Sequence, residues 1–548
     1  MNNNEPKMGF RVVLAVFLSF LVILVINITF KDTKNVNNLS KIEETKKETK
    51  ELSSEDKTKD IDTILNKSKK ESQKEIQKEI QEEKISVETE KYILEFSNKG
   101  GIITKIQIKD FLWNDLPMDL TPSESSALSV SFDGSPLWYN YNKEKDFLVF
   151  WAENDNYRIE KIYTFTNKYN IGLKINLYAK TNYFQSKIMV YWGKGLGPII
   201  EEDKRTRYDE EIVTSYFDVD KNSEVKVDKK IEEKKRSDWV SIDNRYFIAA
   251  ILPENRDEYS IYINNEGIYR ETIGIGKEFS LKEKDSFSLS YNVYIGPKNE
   301  MFLKEMRNLD VITERGFAPI TLIAKWIKAL LFLLNSLFNN FGISIMFLSL
   351  IFNIILNPLS RKSMEASRKM QALQPQIEAL KKKYKDPKEL NAKIWELYRR
   401  EKISPASGCL PMLLQLPFFF ALYAVLPYVI ELKNTTFLWI KDLSSPDTVY
   451  YIQAFKDFPI LPYRLNVLPL ILTFVSFFQT KLSQGGHPST SQGRFMEFIM
   501  PIVFLFIFWN MPSGLVLYWI IQTLFTILVQ YIINHRKKKN KRKQGDKK

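Results

Sequence analysis

FGISIMFLSLIFNIILNPL, residues 341–359, decides how the chain is read. It carries no charge and is long enough to cross a bilayer as a helix. Ser349, Asn353 and Asn357 recur in it at i, i+4 and i+8, so they stack on one helix face. Hydrocarbon penalises unpaired polar groups, so the stripe must face other helices or a wet cavity. Single polar contacts between helices are common, at roughly 0.6–2 kcal/mol each. Here, however, the pattern repeats. Tyr518, Gln522, Thr526 and Gln530 form a second stripe, Thr473, Ser476 and Gln479 a shorter third, and Gln415 opens a fourth apolar stretch. Several helices each offer a polar, uncharged face, which predicts a membrane bundle enclosing a groove.

Working outward, further apolar stretches at about 411–431, 465–481, 496–511 and 513–533 complete a five-helix core, 341–534. Residues 306–340 carry Lys325 and Lys328 beside Trp326 in an apolar setting. That composition predicts an amphipathic helix lying in the interface with its lysines snorkelling. Val12 to Phe30 is uncharged, follows Lys7 and Arg11, and is longer than a signal-peptide core. It reads as an N-terminal transmembrane anchor, 1–30, giving six spans in all. Residues 31–84 are rich in Lys, Glu, Asn and Ser, cannot bury a core, and read as a disordered tether.

From 85 to 305 the period changes to two. Tyr92, Leu94 and Phe96 alternate, Gly100-Gly101 turns the chain, and Ile102, Thr104, Ile106 and Ile108 alternate again. So do Ile171 to Leu177 and Phe287 to Ile295, while Trp239 to Pro253 is continuous enough to lie centrally. These are half-buried antiparallel strands of a β-sandwich. The fold class is an α-helical membrane bundle joined to an all-β domain.

The chain has 548 residues, with 79 basic against 66 acidic side chains and a net charge of +13. The basic excess concentrates in 360–409 and in the tail 535–548, with Arg536, Lys537, Lys538, Lys539, Lys541, Arg542 and Lys543. The positive-inside rule then puts both termini in the cytoplasm and the β domain outside. One cysteine, Cys409, excludes an intramolecular disulfide, and two histidines, His487 and His535, argue against a zinc site. No cofactor or metal is expected. The connection 360–404 reads as a helical hairpin. Met370, Leu373, Ile377, Leu380 and Tyr384 make one seam, Pro375 kinks that arm, and Asp386-Pro387 opens a return arm with Leu390, Ile394 and Leu397.

The stretch NPLSRKSMEASRKMQALQPQIEALKKKY, with SGCLPMLLQLP and MPSGLVLYW after it, resembles the YidC family of membrane protein insertases. DWVSIDNRYFIAAILP extends the likeness into the β region. The resemblance implies a bacterial inner-membrane insertase and chaperone without covalent chemistry. It implies a supersandwich-like periplasmic domain and a groove open to the cytoplasm and to lipid. Its partners would be nascent membrane proteins, the ribosome, Sec translocon components and the bilayer, with no specific nucleic-acid sequence. By the same likeness Ser349, Gln415, Tyr518 and Trp519 join the groove. Leu416, Pro417, Val503, Leu505 and Ile507 become candidates for a slide along which substrate helices move. The family usually places an arginine in the groove, and Asn353 stands at that position here. Family β domains also resemble sugar-mutarotase sandwiches, but that chemistry needs a histidine with a carboxylate, and neither histidine lies in the β region. A secondary transporter would need intramembrane charges and inverted repeats, which the sequence lacks.

Overall fold

A computed structural model of the chain describes residues 81–545, except 114–115, 124–126, 133–134, 136, 182–183, 199–208, 210–211, 267–269, 314–317, 402–409, 453–463 and 484–490. The expected N-terminal anchor and the tether up to residue 80 lie outside the described residues, and the last residue of the expected tether, Lys84, begins the first strand. The side chains of the basic tail from Arg536 onward also lie outside the described residues.

Among the described residues, the segments between Lys84 and Pro297 form seventeen strands, all paired antiparallel. They make two layers. One contains Tyr92–Ser97, Ile102–Trp113, Phe184–Trp192 and Thr272–Leu281; the other contains Phe147–Glu153, Tyr157–Phe165, Asn170–Ala179 and Ser286–Pro297. The strand Ile231–Asp243 belongs to both. Its first half pairs with Glu258–Asn264, and its second half pairs with Phe247–Pro253. That double membership explains why Trp239 to Pro253 is buried on both faces. Between the layers Phe96 packs on Phe150, Tyr163 and Phe165 at ring distances of 6.1, 5.0 and 6.0 Å.

Two expectations shift here. The alternation predicted for Ile102 and Thr104 is out of phase, because Ile103 is the buried residue there. A bulge opposite Glu95 and Phe96 inserts one residue and resets the phase before Ile106. The β core also extends past 305: Met306, Leu309 and Ile312 are buried in it.

The helices follow in order: α1 (Ala318–Phe338), α2 (Phe341–Ala372), α3 (Gln374–Lys383), α4 (Pro387–Arg400), α5 (Leu410–Val425), α6 (Val467–Ser483), α7 (Ser491–Phe508) and α8 (Ser513–Gly545). α8 packs on α2 and α6, α7 on α6, and α1 on α2 and α5. Among the described residues, three stretches are long and apolar enough to cross a membrane: Ile320–Phe338, Phe341–Pro358 and Ser513–Ile533. Gln415–Val425, Val467–Leu482 and Ile499–Phe508 are shorter apolar helices. Of the six expected spans, Phe341–Pro358 and Ser513–Ile533 reach that length, three are the shorter apolar helices, and the N-terminal anchor lies outside the described residues; the remaining long stretch is the helix expected in the interface.

The hairpin differs in one respect. Pro375 does not kink a continuous arm. The helix breaks at Leu373, and Pro375 sits in the first turn of α3, where its missing N–H costs little. α2 therefore runs unbroken from the apolar stretch into the hairpin. Asp386 does cap α4, accepting from the Lys388 amide at 3.2 Å.

Candidate functional site

Residues of the polar stripes on α2 and α5 meet α8. Ser349, fully buried on α2, donates from Oγ to the Tyr518 carbonyl at 3.1 Å. A small hydroxyl at this point lets the two helices approach closely. One turn on, Asn353 donates from Nδ2 to the Ser349 carbonyl at 2.9 Å. Its neutral amide is thus tethered to its own helix while its side chain stays half-buried. One further turn on, Asn357 accepts at Oδ1 from Arg361 Nε at 3.2 Å. The stripe therefore ends on a cation roughly two turns, about 12 Å, beyond Asn353.

α5 joins from the other side. Gln415 donates from Nε2 to Gln522 Oε1 on α8. This amide pair spans 107 residues of sequence. Thr526 donates to the Gln522 carbonyl at 2.9 Å, so its hydroxyl is satisfied within α8. On α6, Thr473 donates likewise to the Pro469 carbonyl at 2.8 Å. Ser476 is buried and finds no hydrogen-bond partner for Oγ among the described residues. Gln479 is half-buried and Gln530 buried.

The structure thus brings Ser349 to Tyr518 and Gln415 to Gln522. Tyr518 is buried in the bundle core. Trp519, one residue on, points to a different face, because successive helical positions turn by about 100°. Its ring packs in an aromatic cluster with Phe419, Phe504 and Phe508 at 5.5, 6.1 and 5.2 Å. Leu416, Pro417, Val503, Leu505 and Ile507 are all half-buried. On the same helices other apolar side chains stand further out: Ile502 and Phe506 on α7, and Leu470, Phe474 and Phe478 on α6. The α6 set lies at i, i+4 and i+8, a spacing visible in the sequence but masked there by the uniformly apolar composition.

One end of the bundle is sealed by the loop after α5. Ser513 donates from N to the Ser445 carbonyl at 2.8 Å and from Oγ to the Asp442 carbonyl at 2.6 Å. Gly514 donates to the Leu443 carbonyl at 2.9 Å, and a Cβ at Gly514 would sit 2.9 Å from that same oxygen. Asp447 accepts the Val467 and Leu468 amides at the start of α6, at 3.0 and 2.7 Å. Burial raises its carboxyl above the ordinary value, against the pull of those same amides. Gly342, at the start of α2, lies under the Phe437 ring, which leaves no room for a side chain. Loop oxygens thus occupy the amino ends of α6 and α8, where unsatisfied N–H groups gather.

Comparisons with known proteins bear on both halves of the chain. A family model described as "60Kd inner membrane protein" matches residues 333–541, and one described as "YidC periplasmic domain" matches 140–332. The membrane protein insertase YidC of Endomicrobium trichonymphae is 33% identical over 464 residues, covering 82% of this chain and 85% of that one. That of Pelobacter propionicus is 30% identical over 485 residues, covering 82% and 86%. A crystal structure described as an active YidC insertase with its first transmembrane domain resolved aligns over 82% of this chain and 93% of its own, at 22% identity and a TM-score of 0.37.

Proposed function

The chain belongs to the YidC family of membrane protein insertases; its function is membrane protein insertion in the inner membrane, and we propose that it works through the uncharged groove on α8. The observation that carries this reading is the pairing of Ser349 with the Tyr518 carbonyl and of Gln415 with Gln522, beneath a sealed end. Polar groups then run down the inside of an otherwise apolar bundle that the loop 437–447 closes at one end.

Inserting a helix requires its polar flank to cross an oil layer. In hydrocarbon each unpaired amide or hydroxyl costs several kcal/mol. A groove lined by Asn353, Asn357, Gln415, Gln522 and Thr526 offers replacement partners along that path. The buried Ser476 hydroxyl can take one more contact. The hydrophobic segment of the substrate meanwhile lies against α5 and α7, at Leu416, Pro417, Val503, Leu505 and Ile507. Burial of that segment, at about 25 cal/mol per Å² of apolar surface, drives the process. No covalent chemistry is involved. In this reading the β domain is periplasmic, both termini are cytoplasmic, and the hairpin α3–α4 with the tail beyond His535 meets the ribosome. Sec components work beside the same bundle.

The test is site-specific crosslinking to ribosome-bound nascent membrane proteins. Probes at Asn353 and Gln415 should capture the polar flank, and probes at Val503 and Leu505 the apolar segment. Equal capture at all four positions, or capture only at lipid-facing controls such as Leu528, would overturn the groove assignment.

A further inference from the structure

Exposed apolar side chains gather where the β domain meets the sealed end of the bundle. The strands Ile102–Trp113 and Leu116–Asp119 form a ribbon with Trp113 opposite Leu116 and Leu112 opposite Pro117. Leu112 is 50% exposed and Leu116 67%. This end of the ribbon is fastened to the bundle. Asn434 donates from Nδ2 to the Leu112 carbonyl at 2.9 Å, and Lys433 Nζ lies 4.3 Å above the Trp113 ring. The loop that supplies these two residues continues into Leu438, 75% exposed, and Trp439, which is also exposed. Between them and the bundle, Phe437 covers Gly342, the second residue of a stretch long and apolar enough to span a membrane. Val449 and Tyr450, on the short hairpin that follows, are exposed as well.

Phe437 fixes the height of this group. It sits at the start of a span, so Leu438, Trp439 and the ribbon bonded beside them stand at the level where hydrocarbon gives way to head groups. Tryptophan and tyrosine concentrate at that level because their rings are apolar and their N–H and O–H groups are wet. Trp439 follows this pattern, donating from Nε1 to Asp447 Oδ2 at 3.3 Å while its ring remains exposed. Exposed leucines beside such a ring are accounted for by a lipid surface.

We infer that Leu112 and Leu116 form a lipid-binding foot of the β domain, resting in the interface of the leaflet that faces it. The inference does not depend on the groove mechanism. Its occupant is the phospholipid interface rather than a second chain, because the foot is continuous with the bundle's own boundary residues.

The opposite end of the same strand supplies a control. Gly100 donates to the Leu137 carbonyl at 2.7 Å, just before Ile102, and Leu137 is 56% exposed. Eleven residue steps separate Ile102 from Trp113, roughly 35 Å at strand rise. Leu137 thus matches Leu116 in type and exposure but lies far from the boundary.

The experiment uses the full chain with Cys409→Ser as background, since Cys409 is its one cysteine. Single variants Leu116→Cys, Leu112→Cys and Leu137→Cys carry an environment-sensitive fluorophore. Each is reconstituted into nanodiscs of phosphatidylcholine and phosphatidylglycerol, with or without lipid spin-labelled near the head group. Quenching at positions 116 and 112 should exceed that at 137 several-fold, and a label deep in the acyl chain should quench less. Equal quenching at all three positions would overturn the proposal. So would a response at 116 that follows protein concentration in lipid-free detergent, which would assign the foot to a second copy. The paired variants at 112 and 116 keep the test decisive if one fails to fold.

Discussion

Arg245 donates from Nε to the main-chain carbonyl of Pro427, 2.7 Å away and 182 residues further along the chain. The same guanidinium donates from Nη2 to the Ser444 carbonyl and from Nη1 to Asp209 Oδ1, the latter at 2.9 Å. Beside it the Tyr246 and Ser444 hydroxyls lie 2.7 Å apart. Arg245 and Asp209 are both almost wholly buried. A turn between two central strands of the β domain therefore holds the loop that seals the bundle.

Arg245→Ala should loosen that seal. It breaks the buried Arg245–Asp209 pair, and removing one partner of such a pair costs about 3–5 kcal/mol. Hydrogen exchange in 427–447 should speed up markedly, and Arg245→Lys should show a smaller change because it keeps the charge but loses the fork of donors. Deleting about 85–296 removes the same contact but none of the groove residues. Insertion of a small single-span substrate into proteoliposomes should persist, with faster exchange in the sealing loop. Complete loss of insertion, with the bundle still folded, would move the β domain into the insertion step itself.

Lys161 should make the β domain's stability depend on pH. It is fully buried in the strand Tyr157–Phe165, donates from Nζ to the Gly100 carbonyl at 2.6 Å, and lies 4.5 Å from the Tyr139 ring centroid. Burial lowers its pKa from 10.5 to about 7. Between those values the unfolded chain holds a proton that the folded one lacks. Stability therefore rises with pH across this window, by at most about 1.4 kcal/mol per unit, and that gain is lost as pH falls to about 7. Thermal unfolding of the intact protein at several pH values measures the slope, which Lys161→Met should flatten. An unchanged slope in the variant would assign the dependence to other groups.

The polar stripe was legible because its signal is local. Ser349, Asn353 and Asn357 share a face by helical period alone, and strand alternation marked the β domain in the same way. Pairings over long separations leave no such trace. Nothing near Gln415 indicates Gln522, 107 residues on, and nothing in the run around Arg245 shows that this side chain leaves its own domain. The phase error at Ile102 to Thr104 has a similar origin, since a bulge is set by the partner strand. Pro375 misled for a different reason: the residue type announces a break, but whether it kinks a helix or starts one depends on the turn before it.

The basic tail should act through charge. α8 continues to Gly545, and nine Lys or Arg residues follow His535 against Asp546 alone. Binding to RNA phosphates weakens steeply with salt, by several log units over about 50–200 mM for 6–10 contacts. Truncation after His535 should reduce ribosome co-sedimentation most at low salt, by about tenfold or more. The difference should shrink as salt rises. A deficit that stays constant across salt concentrations would assign the tail to shape recognition, and no deficit at all would leave it as a topology signal.

Asn353 tests whether the groove acts by hydration or by charge. Among the described residues its amide donates within its own helix, to the Ser349 carbonyl and Oγ. Asn353→Arg adds a cation one turn from Asn357 and two turns from Arg361, on a half-buried face. It should retain most insertion activity, because the family resemblance implies an arginine at this position. Asn353→Leu removes the middle of the stripe between Ser349 and Asn357 and dries the path there. Bundle stability should change little, while insertion of substrates with long polar flanks should fall several-fold and that of short-flanked ones less. Complementation and proteoliposome insertion, with expression matched, compare the two variants. Full activity of Asn353→Leu on both substrate classes would reduce the stripe to packing between α2 and α8, and the path for polar flanks would then have to run beside Gln415 and Ser476.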